Sequence, residues 1–299
     1  MKNPDQSQRG VAIIMALLVV MVAAILATAL IDHQGQWLAR LRIERNLTQG
    51  QWLLRGGLDW SRLILQMDAR DNATTRLDGL WTQALADLPV GPPEDPQRAL
   101  FSGQIEDMQG RFNLLDLAQG GQIRPAATQA LEALLQSLGQ DPTWAGPIAR
   151  RVADSQPAAG RAPRALGLQD VSDLTAVAGL PADLPGVLDA FVAVIPETVS
   201  ININTAPAEV LAAAVPELSL AGGRDLVAQR QHGQWFVHRG DIVNRLRDLP
   251  STALRRLDVR SDWFRITGEV VLDDTIVALQ ALLHRDKQGR AVVRWVRHE

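Results

Sequence analysis

The amino-acid sequence predicts an α+β protein, in which a long N-terminal transmembrane helix packs on an antiparallel sheet and a large all-helical insertion interrupts the sheet-forming part. Three observations support this prediction. An unbroken apolar run occupies Val11–Ile31, helix signals dominate residues 116–249, and apolar and polar residues alternate from Trp263 onward.

The apolar run near the N-terminus is long enough to cross a membrane. No charged residue lies within Val11–Ile31, and Thr28 is its one polar residue. As a helix the run would be roughly 31 Å long, against a hydrocarbon core of roughly 30 Å. Before the run, Lys2 and Arg9 outnumber Asp5, which favours a cytoplasmic N-terminus and a translocated bulk.

The junction in front of the apolar run carries a processing signal. Gly10 follows Arg9 and directly precedes Val11, whereas the far flank, Leu30–Gln34, lacks the Ala-x-Ala-like site of a secretory signal. A basic leader, a Gly and a continuous apolar helix in this order resemble the leader of type IV prepilins and pseudopilins. The resemblance implies that a membrane prepilin peptidase cuts between Gly10 and Val11 and that Val11 is then N-methylated. An uncut signal anchor is the alternative.

Met15 stands where most pilins and pseudopilins carry Glu, five residues after the cut. A carboxylate at that depth is costly, and in the family it meets the N-terminal amine of a neighbouring subunit. The family member known to lack this Glu is the minor pseudopilin K of type II secretion systems, which this anchor therefore resembles. Met15 suits a subunit that occupies the end of a filament.

The first helix is predicted to continue beyond the membrane. Apolar residues recur at three- and four-residue multiples over Trp37–Met67, with Gly50 and the pair Gly56-Gly57 as candidate bends. A helix around Leu80–Leu88 and then a loop over Pro89–Pro96 are predicted to follow.

A β-hairpin is predicted after that loop, with strands at Phe101–Glu106 and Arg111–Leu115. The string Asp107-Met108-Gln109-Gly110-Arg111-Phe112-Asn113-Leu114 resembles the D-x-x-G-x-F-N-L pattern of K pseudopilins. The resemblance therefore extends from the anchor into the first strands of the sheet.

Residues 116–249 are predicted to form the helical insertion, a second feature of the K family. Helices are predicted at Pro125–Leu138, at Asp141–Ala153, near Val171 and over Leu184–Val194. The following string, Ser200-Ile201-Asn202-Ile203-Asn204-Thr205-Ala206-Pro207-Ala208-Glu209-Val210-Leu211, resembles the N-x-N-T-A-x-x-x-L element of K pseudopilins. Within it, Thr205 is predicted to cap a helix whose first turn contains Pro207.

The C-terminal part changes to strand periodicity. Strands are predicted at Trp263–Leu272, Thr275–Arg285 and Arg290–His298, joined by a tight turn at Asp273-Asp274 and another before Arg290. With the long helix, these strands resemble the pilin arrangement. The predicted division of the sequence is a leader (1–10), a transmembrane segment (11–31), a pilin-like domain in two parts (32–115 and 250–299) and the helical insertion (116–249).

Composition and motifs favour a structural protein over an enzyme. The net charge of −3 gives no signal for nucleic acid or an acidic substrate, and the absence of Cys excludes disulfide and thiolate chemistry. The 5 His residues lack metal-ligand spacing, and neither a nucleophile elbow nor a phosphate loop is found. The sequence therefore predicts no catalytic residue and no cofactor.

Calcium is considered because K pseudopilins can bind it in the insertion. The family places an acidic stretch after the second insertion helix, where this sequence has a single Asp and two Arg within Asp154–Arg164. Calcium takes six to eight oxygen ligands, which this stretch does not supply. The family site is therefore not carried over, and no metal ligand is predicted.

DNA binding is the main alternative function. The Asn202–Leu211 element equally resembles the helix-hairpin-helix of competence DNA-binding proteins, which would make this protein a membrane-anchored DNA receptor. However, the connection Pro216–Leu220 lacks Gly, and residues 200–250 carry equal numbers of acidic and basic side chains. The element is therefore interpreted as a folding unit, with no nucleic acid as partner.

The resemblance covers nearly the whole sequence and implies a non-enzymatic subunit of a type II protein secretion system. It implies a position at the tip of the periplasmic pseudopilus, where the protein would assemble with other minor pseudopilins and the major pseudopilin to support export of folded proteins. Prepilin peptidase and secreted proteins are the further partners implied. The expected location is the bacterial inner membrane, single-pass, with a cytoplasmic N-terminus and a periplasmic bulk.

Overall fold

The computed structural model describes residues 5–94, 98–158 and 160–298 of the protein. Lys2 of the leader, Asp95 and Pro96 of the predicted loop, and Ala159 of the stretch considered for calcium lie outside the described residues. The α-helices are α1 (Asp5–Asp71), α2 (Pro125–Ser137), α3 (Ala145–Asp154), α4 (Leu184–Leu188), α5 (Ala208–Ala214), α6 (Leu220–Gln231), α7 (Arg239–Arg245) and α8 (Ser251–Leu254).

The strands follow the same order along the sequence. They are β1 (Leu85–Val90), β2 (Ala99–Asp107), β3 (Phe112–Asn113), β4 (Ala118–Gln119), β5 (Gln122–Ile123), β6 (Val192–Ala193), β7 (Ile201–Asn202), β8 (Leu257–Asp258), β9 (Trp263–Leu272), β10 (Thr275–Arg285) and β11 (Ala291–His298). Five of them form one antiparallel sheet in the order β1-β2-β9-β10-β11. The fold is therefore α+β, as predicted.

Helix α1 is a single unbroken helix of 67 residues, which extends one turn beyond the predicted end at Met67. At 1.5 Å per residue it is about 100 Å long. Neither Gly50 nor Gly57 interrupts it. Both instead let the sheet approach, since a Cβ would lie 2.8 Å from Val277 Cγ2 at Gly50 and 2.5 Å from Phe101 Cζ at Gly57. These glycines are contact points between helix and sheet.

The C-terminal meander is confirmed. Strands β9 and β10 have the predicted ends, and β11 begins one residue after the predicted Arg290. The turn between β9 and β10 contains Asp273 with a φ of 50°. Alternation along β9 and β10 sends one set of side chains onto α1, where they form a core with Leu54, Leu58 and Leu65.

The helix predicted at Leu80–Leu88 is wrong. The structure has a 3-10 turn at Leu80–Thr82, which buries Trp81, and then strand β1. Strand β1 is an edge strand with an irregular register between Leu85 and Leu88, and an edge can accommodate the proline in it because Pro lacks a ladder N–H. Pairing with β2 outweighs the helical propensity of Leu and Ala here.

The predicted first hairpin is also wrong. Strand β2 pairs with β1 and β9, whereas the segment after it leaves the sheet, and β3 pairs in parallel with β6 of the insertion. The local cause is Asp107, whose side chain accepts a hydrogen bond from Gln109 N and caps a 3-10 turn at Met108–Gly110. This turn directs the backbone into the helical part.

The helical part has its own core. Two of the predicted helices appear as α2 and α3, and the segment near Val171 is a 3-10 helix. Helix α4 is shorter than predicted because Val192–Ala193 pairs as a strand. One large hydrophobic cluster joins these elements and extends from Phe112 to Val259. This core begins before residue 116 and ends after residue 249, and the predicted domain boundaries stay a prediction.

Candidate assembly and processing sites

The apolar part of α1 extends away from the rest of the protein. From Ile13 to Ile31 every side chain is exposed, and by length and composition α1 is the one helix among the described residues that could span a membrane. Gly10 and Val11 lie in the helical backbone of α1, and Met15 is 60% exposed. Exposure of so many apolar groups indicates that lipid or other helices cover them.

C-terminal to its apolar part, α1 has two different faces. One is packed on the sheet through Gly50, Leu54, Leu58, Ser61 and Leu65. The opposite face carries exposed apolar side chains, here called the exposed helix stripe: Leu38, Leu41, Trp52, Trp60, Leu63 and Met67. The sequence predicted only one apolar face, because spacing alone does not show which of two stripes a sheet covers.

The helix and the sheet are tied together by polar contacts as well. Asn46 Nδ2 donates to Asp273 Oδ2 over 3.2 Å at the β9–β10 turn, and Arg62 Nε donates to the carbonyl of Ala291 over 2.9 Å. These bonds lie about 16 residues apart along α1, roughly 24 Å. They hold the helix in one orientation, so the exposed helix stripe always faces away from the sheet.

Five residues from separate parts of the sequence form a buried polar junction, defined by Thr75, Asp107, Asn202, Thr205 and Ser261. The Asp107 Oδ2 atom accepts hydrogen bonds from Asn202 Nδ2 (3.1 Å), Thr205 Oγ1 (2.6 Å) and Ser261 Oγ (2.6 Å). Asn202 Nδ2 also lies 3.0 Å from the carbonyl of Thr75 and 2.8 Å from Ser261 Oγ. The junction joins the two sequence motifs that resemble K pseudopilins, since Asp107 belongs to the first and Asn202 and Thr205 to the second.

Burial raises the pKa of the Asp107 carboxyl above its ordinary value. The hydrogen bonds from Ser261, Thr205, Gln109 and Asn202 offset part of this rise. Four donors converge on this one carboxylate, so each bond is charge-assisted when Asp107 is ionised.

Arg285 extends the buried polar junction to α1. Its Nη2 donates to Thr75 Oγ1 over 3.0 Å and its Nη1 lies 3.1 Å from Asp68 Oδ2, near the C-terminal end of the helix. The insertion therefore joins the rest of the protein at the end of α1 that is remote from the apolar segment.

The predicted capping role of Thr205 is wrong. Helix α5 begins after Pro207 without a side-chain cap, and the Thr205 hydroxyl is used in the buried polar junction. Gly110 lies against it, since a Cβ there would come within 2.8 Å of Thr205 Oγ1. The Gly and the Thr of the two strings are thus explained by one close contact, which spacing along the sequence could not reveal.

A second contact between sheet and insertion is ionic. Arg265 of β9 donates to both carboxylate oxygens of Asp189 over 2.6 and 2.7 Å and to Glu106 Oε2 over 2.8 Å. Glu106 also pairs with Arg111. Burial raises the pKa of Asp189, but the hydrogen bonds and charge of Arg265, together with the charge of Arg111, outweigh it and hold that pKa below its ordinary value.

The residues present do not fit a calcium ion. Within residues 5–94, 98–158 and 160–298 no three His, Asp or Glu side chains come together as they would around a metal. The Asp154 carbonyl is already bonded to the backbone N–H groups of Arg164 and Ala165. The expectation that the protein uses no cofactor stays a prediction.

The helix pair α5–α6 is built for packing. A Cβ at Gly223 would lie 2.7 Å from the carbonyl of Ala208, so this Gly permits close approach of the two helices. Arg230, one of the basic residues counted for DNA binding, is buried; its Nη1 donates to the carbonyl of Ile203, and burial lowers its pKa to about 10. That guanidinium is used inside the protein and does not face a phosphate backbone.

A long helix, apolar and exposed in its N-terminal part and packed on an antiparallel sheet in its C-terminal part, defines the protein as a pseudopilin-like subunit. Two sequence models described as Type II secretion system (T2SS), protein K match residues 110–197 and 201–259. The family that the sequence resembles, type II secretion system protein K, is thus the one that these two models describe.

Relatives over the full length agree with this assignment. Type II secretion system protein K of Pectobacterium carotovorum subsp. carotovorum is 29% identical over an alignment covering 96% of this chain and 95% of the relative. The Pseudomonas aeruginosa protein K is 28% identical over 95% of this chain and 91% of the relative. The fold is similar to that of a polypeptide in the crystal structure of the GspK-GspI-GspJ complex from enterotoxigenic Escherichia coli, with a TM-score of 0.66, 20% identity, and coverage of 87% of this protein and 99% of that polypeptide.

Proposed function

We propose that this protein is a minor pseudopilin at the tip of the periplasmic pseudopilus of a type II secretion system, where it supports export of folded proteins. It acts there as a structural subunit without catalytic activity. The observation that carries the proposal is the exposed helix stripe, because it continues the apolar surface of α1 well beyond the segment that a membrane would cover.

The exposed helix stripe supports a helical partner. Its members follow one another at steps of 3, 11, 8, 3 and 4 residues, each a sum of threes and fours, which keeps them on one side of the helix as in side-by-side packing. Each large aromatic side chain buries roughly 150–250 Å² when it is covered, so Trp52 and Trp60 alone offer a substantial interface. The solved relative is part of a complex with GspI and GspJ, and we propose the corresponding minor pseudopilins as the partners, with the major pseudopilin below them.

Two features support the tip position. Met15 removes the carboxylate that would meet the N-terminal amine of a neighbouring subunit. The insertion contacts the rest of the protein near Asp68, in the last turn of α1, and Thr75, just after that helix. These residues come about 35 to 45 positions after Ile31, which places the contact roughly 50–60 Å from the apolar segment. The bulk of the insertion therefore occupies the space into which a further subunit would extend.

The anchor is proposed to lie in the inner membrane, with the N-terminus in the cytoplasm and residues after about 32 in the periplasm. Prepilin peptidase would cut between Gly10 and Val11, and Val11 would be N-methylated. In cells with the peptidase, mass spectrometry of the purified protein should give a polypeptide that begins at methylated Val11, and cells without it should give the uncut form. The same N-terminus in both strains would contradict the processing proposal.

Assembly is tested by capture of the other minor pseudopilins. The full-length protein and its variants are expressed with them and isolated from membranes in mild detergent. Trp52→Ala and Leu63→Ala should each reduce the captured amount about tenfold or more, because each removes a large apolar contact of the kind that dominates interfaces. Leu166→Ala is the matched control, since Leu166 is 87% exposed in the insertion, outside the exposed helix stripe.

Two outcomes would contradict the assembly proposal. Unchanged capture by both stripe variants would show that this face is not the interface. An equal loss with Leu166→Ala would show that any apolar truncation has the same effect. For the tip position, Met15→Glu should leave incorporation into the pseudopilus about the same, and a clear rise in incorporation would count against it.

A further inference from the structure

A pocket of about 290 Å³ lies between α2, the segment in front of β7 and the end of α8. Its polar lining is dominated by guanidinium groups and is here called the arginine pocket: Arg111, Asp116, Arg124, Thr198, Arg255 and Arg256. Four cations and one carboxylate in so small a volume make the pocket strongly electropositive.

The carboxylates nearby do not neutralise this charge. Asp116 lies 3.8 Å from Arg124, and its Oδ1 also accepts a hydrogen bond from Thr198 Oγ1 over 3.0 Å. Arg256 donates to the carbonyl of Ala214, a neutral partner, over 2.8 Å. Among the described residues the Arg255 side chain has neither an ion pair nor a hydrogen bond. At least two positive charges are therefore left for a ligand.

Arg111 adds a buried donor without an acceptor. This residue is only 9% exposed, and its Nη2 is paired with Glu106. Its Nη1 is buried, with no hydrogen-bond partner in the part of the protein that the structure describes. A buried donor that stays unpaired is costly, so Arg111 keeps hydrogen-bonding capacity beyond its pair with Glu106.

Apart from Asn113 and Ser200, the rest of the lining is apolar and consists mostly of small side chains. Ala126, Ala127 and Ala130 of α2 face Val199 and Ile201 across it. Such walls suit the methylene groups of an amino-acid side chain and leave the charge to the guanidinium groups.

We propose that the arginine pocket binds the side-chain carboxylate of a Glu or Asp in an acidic peptide segment from another protein. Guanidinium groups bind carboxylates through paired N–H···O bonds. The volume suits one or two residues of a peptide. The Asp116 carboxylate in the wall disfavours a doubly charged phosphate more than a singly charged carboxylate. The inference rests on the pocket alone and does not depend on a place in the pseudopilus.

The test uses the full-length protein in detergent and fluorescein-labelled peptides, N-acetylated and C-terminally amidated, with four consecutive Glu or, as the uncharged match, four consecutive Gln. Fluorescence anisotropy should show binding of the Glu peptide and at least about tenfold weaker binding of the Gln peptide. The double variant Arg255→Gln/Arg256→Gln should weaken binding of the Glu peptide by about tenfold or more. Arg150→Gln, an exposed Arg on α3 outside the pocket, is the matched control and should bind as the parent does.

Arg255→Gln alone keeps the test decisive if the double variant folds poorly, because the Arg255 side chain makes no polar contact in the described structure; this variant should weaken binding severalfold. Arg255→Lys should recover part of that loss, since it restores the charge without the planar fork. Equal binding of the Glu and Gln peptides, unchanged binding by Arg255→Gln, or an equal loss with Arg150→Gln would overturn the proposal. Displacement of the peptide by inorganic phosphate at lower concentration than by acetate would also overturn it, in favour of a free anion.

Discussion

Replacing Asn202 by Asp tests the buried polar junction in a way that depends on pH. Asn202 is fully buried, and its Nδ2 lies 3.1 Å from Asp107 Oδ2. Asn202→Asp keeps the shape of the side chain but places a second carboxylate at that distance. Two negative charges 3.1 Å apart repel by about 5 kcal/mol at an effective dielectric constant of about 20.

The folded variant can avoid this repulsion by taking up one proton. At pH 7, protonating a carboxyl with an ordinary pKa of about 3.9 costs about 4 kcal/mol, which is less than the repulsion. Because the shared proton raises the folded-state pKa of the pair above the unfolded value, the variant is penalised above the unfolded pKa, and the penalty shrinks as the pH falls. The pH-dependent part of the loss of unfolding free energy should therefore be about 4 kcal/mol at pH 7 and about 1.5 kcal/mol at pH 5, a slope of about 1.4 kcal/mol per pH unit.

Urea unfolding of the full-length protein in detergent, followed by tryptophan fluorescence at pH 5, 6 and 7, measures this slope. Asn202→Ala is the control, since it removes the same hydrogen bonds without adding a charge. Its loss, about 2–4 kcal/mol, should change less over the same pH range than the loss of Asn202→Asp. If Asn202→Asp lost the same free energy at pH 5 and pH 7, the two side chains would not be in contact and the reasoning would be refuted.

Two further predictions concern contacts of the sheet. Gly56→Ala should raise the unfolding free energy by up to about 1 kcal/mol, because no atom lies within 4 Å of the new Cβ. Gly57→Ala should lower it by about 1–2 kcal/mol, because that Cβ would lie 2.5 Å from the ring of Phe101. Equal shifts of the two urea midpoints would contradict the packing. Asp189→Asn should cost about 1 kcal/mol at pH 7, discounted for partial exposure. Burial raises the Asp189 pKa, but Arg265 brings it below the ordinary value. The stability that this ion pair contributes is therefore lost as the pH falls through the pKa of the folded state. Thermal unfolding should distinguish Asp189→Asn from the parent at pH 7 and not at about pH 2.

The elements that the sequence predicted well are those whose pattern is local. The alternation in β9 and β10 and the unbroken apolar run of α1 each specify one kind of structure over many residues. The errors fall where a short segment has two possible partners. Leu85–Val90 pairs with a strand although its residues also suit a helix, and Phe112–Asn113 pairs with the insertion although it follows directly on β2.

The candidate sites divide in the same way. Gly10, Val11 and Met15 are defined by their order along the sequence, so the sequence could nominate them, and the structure adds that Met15 is exposed on an apolar helix. The exposed helix stripe could not be nominated, because a covered face and a free face have the same spacing on a helix.

Length, apolarity and alternation are enough to predict an anchored α+β protein, because each of these signals acts between residues that are neighbours in sequence. The buried polar junction and the arginine pocket depend on residues that are far apart in sequence: Asp107 meets Asn202 and Ser261, and Arg111 lies in one wall with Arg255. Their geometry is set by the packing of two hydrophobic cores against each other. Local propensity does not encode that packing, so these sites became visible only in the folded protein.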